Sequence, residues 1–209
     1  MTTVYLMRHS KPMKHIYLKN SDSLQIQNEK KILTIDGEEI AKKVSELDEF
    51  NNIDKVYSSN YIRAIATAKY VAAKNNIEIL IDEDLGERKF GILSWDELPD
   101  NFERKQLLDE EYKIGDGECQ KEVRERMLLA LNKVLNDNKD KRILIVTHGT
   151  AISYLLKTWC DVKLVNDKIN YSFNDKVFFD GHFNHCETFK LEFDDDRLVS
   201  IENIKFNLL

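Results

Sequence analysis

Short apolar runs that stop abruptly at polar residues constrain this chain most. Thr3 to Met7 halts at Arg8 and His9, Lys55 to Ser58 runs into Ser59, Ile77 to Ile81 into Asp82, and Ile143 to Val146 into Thr147 and His148. Runs without polar alternation fit strands buried on both faces, as in parallel sheets. Between them lie helical periodicities. Ile40, Ala41, Val44 and Leu47 predict a helix over Asp36 to Glu49 behind a cap at Thr34. Ile62, Ile65, Ala66, Lys69, Tyr70 and Ala73 mark a second helix, Val123 to Leu135 a long third, and Ala151 to Trp159 a short fourth. Two further strands are expected near Thr188 to Phe193 and Leu198 to Ile204, joined by an Asp-rich turn.

The alternation predicts an α/β fold: a three-layer sandwich with a mostly parallel central sheet, helices on both faces and right-handed crossovers. Residues 82 to 117 have poor periodicity, yet Trp95, Leu98, Phe102, Leu107, Leu108 and Tyr112 are too apolar for a solvated loop, so a helical lid insertion is expected over about 88 to 117. No repeat or linker divides the 209 residues, and a single domain over 1 to 209 is the expectation.

Composition excludes several classes. A chain 42% hydrophobic, with seven Gly and two Pro, is too apolar for disorder and too poor in breakers for low-complexity material. The net charge of −6 argues against a nucleic-acid partner while leaving room for a local cationic pocket. Three widely spaced cysteines, Cys119, Cys160 and Cys186, build no closed disulfide framework and fit a reducing, cytoplasmic location. No stretch approaches the ~18 apolar residues of a membrane span, so no membrane partner is expected.

In open α/β sheets, ligands lie beyond the carboxyl ends of the strands. There the sequence brings Arg8 and His9, then Ser58, Ser59 and Arg63, then Glu87, then Thr147, His148 and Gly149. Two guanidinium forks match phosphate oxygens and stay charged at physiological pH. A neutral imidazole beside them is a competent nucleophile at phosphorus, kept unprotonated by neighbouring cations. Glu87 is the one carboxylate in the set, and a glutamic acid can protonate a leaving alkoxide and later accept a proton from water.

These residues fall in YLMRHS (5 to 10), LTIDGEEIA (33 to 41), VYSSNYIRAIATA (56 to 68), LGERKFGILSW (85 to 95), GECQKEVRERM (117 to 127) and VTHGT (146 to 150). In that order and spacing the chain resembles the histidine phosphatase superfamily, the phosphoglycerate-mutase-like proteins that pass through a phosphohistidine. The resemblance implies that His9 accepts the phosphoryl group, that Arg8, Arg63 and His148 line the phosphate pocket, and that Glu87 donates the proton. Ser10, Gly149 and Thr150 are further expected to meet the substrate. The implied activity is a phosphomonoesterase acting on a small phosphorylated metabolite, without a cofactor. The alternatives are a phosphoglycerate-type mutase or a non-enzymatic phosphate- or phosphoprotein-binding regulatory module. Sequence leaves the phosphoester and the oligomeric state open.

The chain departs from the family pattern in three places. Ser10 replaces the usual glycine after the nucleophile. No arginine stands between Arg8 and Arg63, where only lysines occur. The paired lid arginines of the mutases are reduced to Arg104 and Lys105. His182, His185 and Cys186 fit no closed four-ligand metal pattern, so no metal is expected. Lys11 to Lys31 is expected to be a solvated, steering face.

Overall fold

The computed structural model describes residues 1 to 14, 23 to 165 and 168 to 206. Strand β1 (Thr2–Arg8) leads through helix α1 (Leu24–Glu29) to α2 (Ile35–Ser45), then β2 (Lys55–Ser58), α3 (Ile62–Asn75) and β3 (Ile79–Ile81). Helices α4 (Phe102–Leu108) and α5 (Gln120–Asp137) precede β4 (Arg142–Thr147) and α6 (Gly149–Leu156). Strands β5 (Asp161–Val165), β6 (Lys168–Phe173), β7 (Lys176–Gly181), β8 (Thr188–Asp194) and β9 (Arg197–Ile204) follow. The part of the Lys11 to Lys31 stretch between 15 and 22 lies outside the described residues.

Six strands form one sheet in the order β3, β2, β4, β1, β8, β9. The first four are parallel, and β8 and β9 extend the sheet antiparallel. Side chains alternate between the faces, which is why β1 and β4 must be apolar throughout. Val4, Leu6, Ile143 and Ile145 join a core with α5 and α6, whereas Tyr5, Met7, Leu144 and Val146 join another with α2 and α3. The chain is thus the expected α/β sandwich with helices on both sides.

The caps explain several boundaries. Thr34 Oγ1 accepts the Gly37 amide at 3.0 Å to start α2. Asn76, left-handed at φ 54°, ends α3. The helix expected to reach Glu49 stops at Ser45, and a 3₁₀ turn over Asp48–Phe50 buries Phe50 instead. The expected lid stretch holds a 3₁₀ turn at Trp95–Glu97 and α4. Buried Gln106 ties α4 to the rest: its side chain donates to the Glu118 carbonyl at 2.8 Å and accepts from the Tyr154 hydroxyl at 3.2 Å.

One element lay beyond the sequence reading. Strands β5, β6 and β7 make a separate three-stranded antiparallel sheet. It is fixed to α6 by the hydrogen bond between Tyr171 and Ser153 hydroxyls and to the core by a ring cluster of Tyr171, Phe178, Phe179, Phe183 and Phe189. Among the described residues no helix is long and apolar enough to cross a membrane.

Candidate active site

Strand register brings distant residues together. Arg8 pairs with Thr147 and Ser58 with Val146, so β1, β2 and β4 end side by side and their next residues emerge at one edge. Arg63 enters from the first turn of α3, four residues beyond Ser59. His148 sits at the N-cap of α6.

At this edge Arg63 is the hub. Its Nε donates to His9 Nε2 at 3.0 Å, its Nη2 to His148 Nδ1 at 3.1 Å, and its Nη1 to the Asn28 carbonyl at 2.5 Å. The imidazoles of His9 and His148 lie 5.1 Å apart between centroids, and both are buried. The Tyr61 ring packs on the Arg63 guanidinium at 4.7 Å and on His148 at 4.5 Å.

The partners fix both tautomers. His9 Nδ1 faces the Ser10 carbonyl at 2.6 Å, which can only accept, so the proton is on Nδ1 and the lone pair on Nε2. His148 Nδ1 receives Arg63, so its Nε2 carries the proton toward Ser59 Oγ at 2.8 Å. Burial holds each ring well below the ordinary imidazole range, and the Arg63 charge adds to it. Burial also lowers Arg63 to about 10, which leaves it cationic at neutral pH.

Arg8 connects this cluster to open space. Its Nη1 donates to the Phe183 and Asn184 carbonyls, while its Nε, buried, has no hydrogen-bond partner among the described residues. Glu87 lies at the start of α6: Oε1 accepts the Ala151 amide at 3.1 Å and the Arg88 amide at 3.0 Å, and Oε2 accepts the Thr150 amide at 3.4 Å. A helix N-terminus with unpaired amides is a natural seat for this carboxylate. Beside it opens a cavity of about 500 Å³, lined by Arg8, Gly149, Thr150, Arg88 and Tyr154 among others.

The structure therefore gathers Arg8, His9, Arg63, Glu87, His148, Gly149 and Thr150 at one sheet edge. It does not give Ser10 a ligand-facing role: the fully buried hydroxyl donates to the Gly37 carbonyl at 2.7 Å, and the amide donates to Thr67 Oγ1 at 2.9 Å. Ser10 anchors the chain behind His9 instead.

Residues 4 to 174 match the family model described as the histidine phosphatase superfamily (branch 1). The chain belongs to this superfamily. Within the histidine phosphatases it is 32% identical over 159 residues to phosphoglycerate mutase-like protein 4 of Arabidopsis thaliana, covering 69% of this chain and 68% of that protein. The fold is shared with Bacillus stearothermophilus YhfR, with TM-score 0.71, 23% identity and 95% of each chain covered. It is also shared with the mycobacterial glucosyl-3-phosphoglycerate phosphatase, with TM-score 0.70, 14% identity and 98% of each chain covered.

Sequence reasoning missed other members of this histidine phosphatase site. Arg88, in a run of charged residues after Glu87, is 2% exposed: it meets Glu103 at 3.0 Å and packs on the Phe90 and Phe102 rings, at 4.7 and 5.1 Å. Asn28, whose carbonyl orients Arg63, carries no sequence signature, and Ser59, already expected at this strand end, gains a role only here, in orienting His148. His182 lines the cavity whereas Cys186 is buried, and among the described residues no group of three or more His, Cys, Asp or Glu could hold a metal ion.

Proposed function

We propose that this histidine phosphatase superfamily member is a phosphomonoesterase that hydrolyses a small phosphorylated metabolite through a phosphohistidine at His9. The observation that carries this reading is the tautomer of His9. The Ser10 carbonyl holds Nδ1–H, so the nucleophilic lone pair is on Nε2, beside the Arg63 guanidinium.

Arg63 Nε–H covers that lone pair while no better acceptor is near. A phosphate dianion offers its oxygens to Arg63 and Arg8, draws the guanidinium away and frees Nε2. His9 Nε2 then forms a bond to phosphorus as the ester P–O bond breaks, and Glu87 gives its proton to the departing alkoxide. Water next attacks the phosphohistidine, returning one proton to Glu87 and releasing inorganic phosphate. The arginines oppose the charge that builds on the equatorial oxygens.

The test is quenching in alkaline detergent during turnover of phosphate-radiolabelled para-nitrophenyl phosphate, which traps a labelled phosphoprotein that is acid-labile and alkali-stable. His9→Ala should lose both the label and turnover while its circular dichroism is unchanged. Turnover retained by that variant would overturn the assignment.

A mutase shares every step but the last, handing the phosphoryl group to a second alcohol, and the name of the Arabidopsis relative favours it. Hydrolysis and transfer of 3-phosphoglycerate, compared with and without a bisphosphate primer, separate the two. Transfer far exceeding hydrolysis would select the mutase.

A further inference from the structure

The cavity beside Glu87 has one wall that the proposed chemistry does not use. Its near end is Arg8 with Gly149 and Thr150, where the phosphate arginine and the proton donor stand. An alkoxide protonated by Glu87 has to depart into this space. Another wall is Leu164 of β5 and Ile169 of β6, joined to the Arg8 end by Phe183, whose carbonyl holds Arg8. Leu164 and Ile169 are directly opposed across the β5–β6 ladder, so both project from the same face of the small sheet. Neither is fully buried, and each keeps apolar surface uncovered.

That wall is firmly backed. Tyr171, two residues beyond Ile169 on the same face, is completely buried and bonded to Ser153 of α6. Size matters as well. A cavity of roughly 150 Å³ holds a benzene ring, and those of about 300 to 1,000 Å³ take drug-sized ligands. At about 500 Å³ this one exceeds what the alcohol of a triose phosphate fills. The cationic lining is partly spoken for, since Arg88 is paired with Glu103 at 3.0 Å.

We infer that Leu164 and Ile169 are specificity-determining residues that select a phosphomonoester whose alcohol carries a ring-sized apolar body. This rests on the phosphomonoesterase reading and adds the class of leaving group.

The test compares 2-(naphthyl)ethyl phosphate with ethyl phosphate, whose primary alkoxides are of like basicity, so that chemistry is matched and only the apolar body differs. The ratio of their kcat/KM values should be of the order of 30 or more, since a single methylene in an apolar pocket is worth about 10- to 200-fold. Leu164→Ser and Ile169→Ser should each lower that ratio about fivefold or more, and Lys163→Ala, on the opposite face of β5, should preserve it. Leu164→Trp, which fills the cavity without removing packing, should lower it too and serves if a serine variant fails to fold. A native ratio near one, or 3-phosphoglycerate preferred to the naphthyl ester, would overturn the inference and leave the phosphatase intact. No turnover of any ester and no trapped phosphohistidine would remove both.

Discussion

Arg63 Nε lies 3.0 Å from His9 Nε2, so the side chain that would seat the phosphate also covers the nitrogen that would attack it. The same guanidinium reaches His148 Nδ1 at 3.1 Å. A single planar fork therefore sets the spacing of both imidazoles, and a flexible ammonium has no equivalent geometry.

Arg63→Lys should for that reason behave much like Arg63→Met. Each should lower kcat/KM by about 10²- to 10³-fold, the usual cost of losing a donor to developing charge. For Arg63→Met the melting temperature should change little, because that variant removes a desolvated cation. A matching collapse in melting temperature would make Arg63 a structural residue.

Stability should depend on pH through His9 and His148. Burial, then Arg63, keeps both neutral when folded, while the unfolded chain regains the ordinary value of 6.5 and takes up protons that the folded state refuses. Stability is therefore full above about pH 6.5 and is lost as pH falls below it, with a slope approaching two protons and a smaller share from His185. Urea unfolding between about pH 5 and 8 measures this. His148→Gln should roughly halve the slope, and an unchanged slope would count against a neutral buried pair.

Glu87→Gln should discriminate between leaving groups. On ethyl phosphate, which needs a proton, kcat should fall by about 10²- to 10⁴-fold. On para-nitrophenyl phosphate the first step should be spared and the phosphohistidine should accumulate, because water has lost its base. Equal losses on both esters would give Glu87 a binding role instead.

Gly37→Ala should damage the site from a distance. A Cβ at Gly37 would come within 2.3 Å of the Lys11 carbonyl oxygen, and Gly37 also accepts the Ser10 hydroxyl at 2.7 Å. Forcing that contact apart should cost about 1 to 3 kcal/mol, read as a drop of about 2 to 10 °C in melting temperature. Turnover should fall with it, because the residue after His9 loses its anchor. A variant with native stability and activity would show that this contact yields freely.

The parts of the fold legible in the sequence are those where burial leaves no chemical choice. Val4 to Met7 and Ile143 to Val146 are buried on both faces, so every position is apolar and the strands stand out. The site was legible for a related reason, since strands that end at one edge must deliver their next residues together. What escaped depends on contacts from far along the chain. Arg88 sits among Glu87 and Lys89 and reads as solvent-facing until Phe102 closes over it. Strand β5 alternates exposed and half-buried residues through Asp161, Val162, Lys163, Leu164 and Val165, a weak period-two signal in only five residues. Helix α1 has six residues, too few for a periodicity to show. Ser10 misled because a hydroxyl next to a nucleophile suggests a ligand, and only the position of Gly37 reveals its actual acceptor.

Arg8 is set by the first strand yet held by carbonyls from Phe183 and Asn184, and β1 gains its antiparallel neighbour only at Thr188. During synthesis, the arginine emerges from the ribosome long before the segment that grips it. A chain stalled short of residue 183 would carry every side chain assigned to catalysis while lacking the clasp that aims one of them, and it should remain inert until those last strands are translated.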